Sequence, residues 1–188
     1  LVLILLLALY FTIERIIYIN KRSSMDFNLM NVVRDNLKEN KPESATAYCA
    51  RTPTAQAQVI ATGLRFLGSN MREIESAMEA RASVELSAME SNLHYLSLIG
   101  RVAPMIGFLG TIWGVINIFY SVATGGVLEI GAVSAGLYQK LVTSAGGLLV
   151  GMIAYIGYQL LMRRIDRFGE KLQEQTLMYL EMLSRSGV

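Results

Sequence analysis

One stretch limits what this chain can fold into more than any other: Val102-Ala103-Pro104-Met105-Ile106-Gly107-Phe108-Leu109-Gly110-Thr111-Ile112-Trp113-Gly114-Val115-Ile116-Asn117-Ile118-Phe119. It is apolar enough to cross a bilayer, yet it carries one proline, three glycines and one hydroxyl. On a helix, Pro104, Gly107, Thr111, Gly114 and Ile118 fall at steps of three and four and share one stripe. A span that only faced lipid has no reason to gather its glycines and its threonine on one side. The stripe is expected to be a helix-packing face with a single polar group at membrane depth.

A second apolar stretch repeats the design. Leu141-Val142-Thr143-Ser144-Ala145-Gly146-Gly147-Leu148-Leu149-Val150-Gly151 has adjacent hydroxyls followed by small residues. Gly147 and Gly151 are four apart, as are Gly110 and Gly114, and both pairs match the small-residue spacing that lets membrane helices approach closely. The plain reading of Thr111, Thr143 and Ser144 is back-bonding to the carbonyl four residues earlier. Hydroxyls among glycines at comparable depth in two spans point beyond that reading. No Asp or Glu lies in either span, since Glu129 falls in the connection between them. A proton relay normally needs a titratable group within the membrane, so a carboxylate would have to come from another chain. Lys140 is the one ionisable exception. It shares the face of Ser144 four residues on, and snorkelling to the headgroups is the simplest account of it.

Composition agrees with a small polytopic membrane protein. Of 188 residues, 53% are hydrophobic and only three are proline, which is too apolar for an ordinary soluble domain. The net charge of +2 does not imply nucleic acid. Cys49 is the only cysteine and His94 the only histidine, so neither a disulfide framework, a metal site nor a Cys/His nucleophile pair is expected. No cofactor and no enzyme activity are expected either.

In chain order, residues 1–19 read as a first transmembrane helix. Leu1 is not an initiating Met, so the natural N-terminus is expected to precede it. A signal peptide would place its charges before the apolar run, whereas Lys21 and Arg22 follow it. Glu14 and Arg15 are expected at the cytoplasmic end, snorkelling to the headgroups. Residues 20–97 read as a cytoplasmic helical region. It opens with a short helix capped by Asp26, with Leu29, Val32, Val33 and Leu37 on one face. Another short helix follows over Glu43–Arg51. A long helix then starts at Thr54 and continues into the second span. Its charges Arg72, Glu73, Glu75, Glu79, Arg81, Glu85 and Glu90 look like a solvated face with ion pairs at spacing four. The second span is expected over 98–122, a short external connection over 123–131 and the third span over 132–162. A helical tail over 163–188 has Phe168, Leu172, Gln175, Tyr179 and Leu183 on one stripe.

Residues 20–101 hold ten Lys and Arg, residues 163–188 five and residues 123–131 none. The positive-inside rule therefore places the first two regions in the cytoplasm and the connection outside, with the N-terminus external and the C-terminus cytoplasmic. A helix from Thr54 to Val122 would be roughly 100 Å long at ~1.5 Å per residue, against a ~30 Å hydrocarbon core. The fold class expected is an all-α integral membrane protein with three transmembrane helices. Two of these are very long and extend into the cytoplasm, and several subunits bundle.

The second span, with Ala103-Pro104, Gly107, Leu109-Gly110-Thr111, Trp113-Gly114 and Phe119, strongly resembles the MotA/TolQ/ExbB proton-channel family. The third, Leu141 to Ala154 with Tyr158 soon after, resembles its partner motif. Three spans and a large loop between the first two match ExbB, and next TolQ, rather than the four-span MotA. The resemblance puts the family's pore hydroxyls at Thr111 and Ser144, with Thr143 beside them. Pro104, Gly107, Gly110, Gly114, Gly147 and Gly151 become packing positions of the pore. The chain departs from the pattern at Gln139, where the family has glutamate, at Ile153 for a proline and at Gln159 for an asparagine. The resemblance implies a homo-oligomeric ring, a pentamer, in the bacterial inner membrane. It would enclose an ExbD- or TolR-like single-span partner that supplies a membrane aspartate, and would drive a TonB- or TolA-like protein. A TolQ-type role in envelope integrity, another surface process, and a non-conducting membrane scaffold are the alternatives.

Overall fold

The computed structural model describes residues 1–124 and 130–186. The described residues are helical throughout, with short turns between helices. They form α1 (Val2–Arg22), α2 (Leu29–Lys38), α3 (Pro42–Arg51), α4 (Ala55–Arg65), α5 (Met71–Glu90), α6 (Leu93–Ala123) and α7 (Ile130–Ser186). The external connection expected over 123–131 falls mostly outside the described residues, at 125–129, and so does the end of the tail at 187–188. Three helices are long and apolar enough to cross a membrane: α1, α6, and the part of α7 from Gly136 to Ser184. The chain divides into two compact units, Leu1–Glu14 with Asn92–Leu160, and Arg15–Ser91 with the chain from Leu161 onward.

In the first unit, α6 and the early part of α7 pack against each other and α1 lies beside them. The Phe11 ring stacks on Tyr95, with centroids 5.2 Å apart. Gly157 sits beside Thr12 and Leu96. The side of α6 away from its glycines is bare: Phe108, Leu109, Trp113, Ile116 and Phe119 are exposed, Trp113 by 68%. Water would penalise so large an apolar surface, and a hydrocarbon phase does not.

The second unit has a core of its own. The small residues of α4 let it sit buried along most of its length, from Ala55 through Leu64. The later part of α7 buries Ile165, Phe168, Leu172, Thr176, Tyr179 and Leu183 at steps of three and four. Gln175 is only half-buried and accepts a hydrogen bond from Gln56 at 3.2 Å.

Four features differ from the sequence expectation. The helix expected to run unbroken from Thr54 is interrupted twice, at Phe66–Asn70 and at Ser91–Asn92. Gly68 takes the left-handed φ of +91°, which ends the first piece. Asn70 then caps α5 by accepting the Glu73 amide at 2.9 Å. Asp26 does not cap α2; its carboxylate accepts the Asn28 amide at 2.9 Å and the Tyr48 hydroxyl at 3.1 Å. Arg15 is 5% exposed rather than reaching for headgroups, and donates to the Ala88 and Met89 carbonyls at 3.2 and 3.4 Å. Those carbonyls close the C-terminal end of α5, where a cation also complements the helix dipole. Finally, Glu85 is 2% exposed, not on a solvated face. The expected spacing-four pair with Arg81 forms at 2.6 Å, and Arg22 of α1 adds a second pair at 2.8 Å.

Candidate functional site

The contact between α6 and α7 follows a ladder of glycines. On α6 the close approaches occur at Gly100, Gly107 and Gly114, seven residues apart, the repeat that keeps one seam facing a partner. A Cβ on Gly100 would lie 3.3 Å from Cβ and N of Tyr155. One on Gly107 would meet the Ser144 carbonyl oxygen at 3.1 Å and the Cα atoms of Ser144 and Gly147 at 3.2 Å. One on Gly114 would collide with the stem of Lys140. From the α7 side, a Cβ on Gly147 would lie 2.8 Å from the Ala103 carbonyl oxygen and 2.9 Å from the Gly107 Cα. On Gly151 it would lie 2.5 Å from Pro104 Cγ and 3.0 Å from the Gly100 carbonyl oxygen.

The approach at Gly151 has a local cause. Pro104 lacks an N–H, so the Gly100 carbonyl four residues earlier has no helical donor. That oxygen faces the bare Cα of Gly151, where glycine hydrogens can give it weak Cα–H···O contacts. The proline and the glycine opposite it therefore belong to one feature. Gly110 stands apart: its nearest neighbour is Thr143 Cγ2 at 3.9 Å, which leaves room for a methyl group.

The hydroxyls lie within this ladder. Thr111 follows Gly110 and falls between Gly107 and Gly114, the Thr143 methyl group is the nearest neighbour of Gly110, and the backbone of Ser144 packs on Gly107. The Thr111 hydroxyl donates to the Phe108 carbonyl at 2.6 Å, and Thr143 donates to Gln139 at 3.0 Å. With its proton committed to the backbone, each of these oxygens is left as an acceptor. Ser144 makes no such bond among the described residues, so its hydroxyl is available to donate as well. Of the residues singled out from the sequence, Pro104, Gly107, Gly114, Ser144, Gly147 and Gly151 meet directly across the two helices. Thr143 reaches only Gly110, and Thr111 bonds within its own helix.

Sequence reasoning missed two participants. Gly100 is the last rung of the ladder, and the spacing 100–107–114 was its visible signal. Lys140, expected to snorkel to the headgroups, also lays its methylene stem against Gly114. Among the described residues no group of three His, Cys, Asp or Glu is placed to hold a metal ion.

Residues 51–174, which include every residue of this ladder, match the model of the MotA/TolQ/ExbB proton channel family. The chain belongs to that family. An ExbB homolog described as a biopolymer transport protein in Methanothermobacter thermautotrophicus is 30% identical over 163 residues, covering 86% of this chain and 57% of the relative. The biopolymer transport protein ExbB1 of Vibrio cholerae is 31% identical over 157 residues, covering 80% of this chain and 68% of its own. The Tol-Pal system protein TolQ of Pseudomonas aeruginosa is 32% identical over 88 residues, 47% of this chain and 38% of that protein. The chain thus spans little more than half the length of the first of these and less of the last. Family membership and three apolar helices make this an integral membrane protein.

Proposed function

We propose that the chain is an ExbB-like subunit of a proton-driven motor in the bacterial inner membrane. Copies of it, five on the family's pattern, form a ring around the single-span helices of an ExbD-like partner. The complex couples the proton motive force to TonB-dependent transport at the outer membrane. Residues 20–97 and 163–188 are cytoplasmic, and the 123–131 connection is periplasmic. The observation that carries this reading is the ladder itself: three hydroxyls lie among close-packed glycines in two spans with no carboxylate of their own.

The chemistry follows from the hydroxyl geometry. A partner carboxylate entering the ring is desolvated, which favours its neutral form. Thr111, already donating to its own backbone, presents an acceptor, and an acceptor suits a protonated acid better than an ionised one. Ser144 can donate and so tolerates either form. A carrier with a raised pKa loads from the acidic side and unloads on the other. One charge crossing 100 mV supplies about 2.3 kcal/mol for moving the partner helices.

Thr111→Val keeps the shape and removes the acceptor. In vesicles containing the complex, with proton uptake read by a trapped pH-sensitive dye, the variant is expected to lose most of the flux while the complex still assembles. Full flux in an assembled Thr111→Val complex would remove Thr111 from the pathway. The similarity to TolQ supports a second reading, in which the same motor serves envelope integrity through TolR- and TolA-like proteins. Rescue of a strain lacking TolQ, but not of one lacking ExbB, would favour it.

A further inference from the structure

Between Arg101 and Arg163 the sequence carries two charged side chains, Glu129 and Lys140. Glu129 lies outside the described residues. Lys140 is half-buried, and its Cγ, Cδ and Cε all lie against Gly114 of α6, Cδ and Cε within 2.7 and 2.8 Å of where a Cβ would stand. A lysine that only snorkels lays its stem on the lipid-facing surface and needs no slot. Here the stem crosses to the neighbouring helix, on the face that four residues later carries Ser144.

Depth can be read from the ladder. Tyr155 packs at Gly100, next to Arg101, and Lys140 is fifteen residues away along α7, or ~22 Å. With Arg101 at one boundary of a ~30 Å hydrocarbon layer, the Lys140 backbone lies inside the other boundary. Among the described residues no carboxylate pairs with its ammonium. The other titratable side chains of this unit are His94, Tyr95, Arg101 and Tyr120 on α6, Tyr138, Tyr155 and Tyr158 on α7, and Tyr10 and Glu14 on α1. His94, Tyr95 and Arg101 lie near the start of α6, far along it from Gly114. Glu14 accepts a bond from Asn92, at the end of α6 far from Gly114. A charge fixed at that depth calls for an anion.

We propose that Lys140 is the counter-ion of the partner's membrane carboxylate, holding it ionised at the outer end of the hydroxyl ladder. The inference rests on the channel reading above and adds the residue that latches the carrier. Beside the ammonium the carboxylate is stabilised in its charged form, whereas one turn inward the Thr111 acceptor favours the neutral acid. A proton from the outer solution binds a carboxylate oxygen and dissolves the ion pair, leaving the ammonium charged. The neutral acid then moves inward to the hydroxyls. An unprotonated carrier stays latched, so the partner helix does not advance without its proton.

The test uses the intact complex in phosphatidylcholine vesicles, with proton uptake followed as the outer pH is stepped from 5 to 9. Lys140→Met keeps the stem and removes the charge, which raises the carboxylate pKa. The half-maximal pH is expected to move upward by about one unit or more, and to stay in place for Lys140→Arg and for Glu129→Gln. A Lys140→Met curve that superimposes on the wild type overturns the proposal. So does the same shift in Glu129→Gln, which would make Glu129 the counter-ion, or a shift seen only with added phosphatidylglycerol, which would assign Lys140 to lipid phosphate. Independently of any variant, carbodiimide treatment of wild-type membranes should join Lys140 Nζ to an Asp or Glu of the partner by an amide bond detectable in peptide masses. Its absence, where other cross-links form, also counts against the pair. A wild-type complex that assembles but passes no protons would instead sink the channel reading, and the latch with it.

Discussion

At the scale of single residues, Glu85 shows how much of the chemistry depends on distant partners. Its carboxylate is buried between Arg81 of its own helix and Arg22, 63 residues away in sequence. Glu85→Ala leaves two guanidinium groups without their counter-charge, and both are partly solvated at 36% and 26% exposure. The expected cost is therefore at the low end for a broken buried pair, about 3 kcal/mol. It would be measured as a lowered melting temperature in detergent, with Glu79→Ala as the neutral surface comparison. From the sequence, Glu85 was one of seven alternating charges on a helix, and only the spacing-four partner was legible. Arg22 was not, because burial of Glu85 is decided by which side of α5 the core occupies. Cys49 gives a second residue-scale expectation. Burial pushes its thiol up to about 11, so roughly one molecule in a thousand is thiolate at pH 8. Because the thiolate is the nucleophile, iodoacetamide labelling is expected to stay slow through pH 9 and to climb toward pH 11. Rapid labelling of the folded protein at pH 7.5 would contradict the buried placement.

At the scale of helices, the glycines separate into those that are needed and those that are not. Gly147→Ala drives a methyl group into two backbone atoms of α6, at 2.8 and 2.9 Å, and backbone cannot step aside. Gly107→Ala at 3.1–3.2 Å asks for a shift of a few tenths of an ångström, and Gly110→Ala meets only a side-chain methyl at 3.9 Å. The expected order of destabilisation is Gly147, then Gly107, then Gly110. It runs from about 2 kcal/mol, in the range of overpacked cores, to near zero, and is read from melting temperatures. An equal effect at Gly110 would mean that another surface presses on it. Much of the ladder was legible: Pro104, Gly107 and Gly114 of the expected stripe lie on the observed seam, while Thr111 bonds within its own helix. The GxxxG pairing was only half informative, since Gly147 and Gly151 both face α6, but on α6 the seam runs through Gly114 and Gly107 rather than Gly110. A heptad and a GxxxG share members, and choosing between them requires the partner's register. The break at 66–70 was written in Gly68-Ser69-Asn70, but it was outweighed by the absence of proline. Gly68 has nothing within 4 Å, so Gly68→Ala is expected to cost only its backbone strain, about 1 kcal/mol.

At the scale of the molecule, the open question is what covers the rest of α6 and α7. Helix α7 runs for 57 residues, roughly 85 Å at ~1.5 Å each, nearly three times the ~30 Å that hydrocarbon can cover. The glycine side of α6 is already taken by α7, while Phe108, Trp113 and Phe119 remain exposed. Lipid suffices for those aromatics, but neither lipid nor one copy's own helices supplies a carboxylate to the hydroxyl ladder. The proposed ring meets both needs, because copies shield each other's long helices and enclose a second, carboxylate-bearing chain. The expectation is concrete. Native mass measurement of the complex, gently extracted from membranes that also contain the products of neighbouring genes, should give about five times the 20.8 kDa of this chain, plus a smaller single-span protein. Another number of copies around such a protein would correct the stoichiometry and leave the mechanism intact. A monomer, or a ring with nothing inside, would leave Thr111 and Ser144 with no group to protonate. The glycine ladder would then be the packing seam of a membrane scaffold.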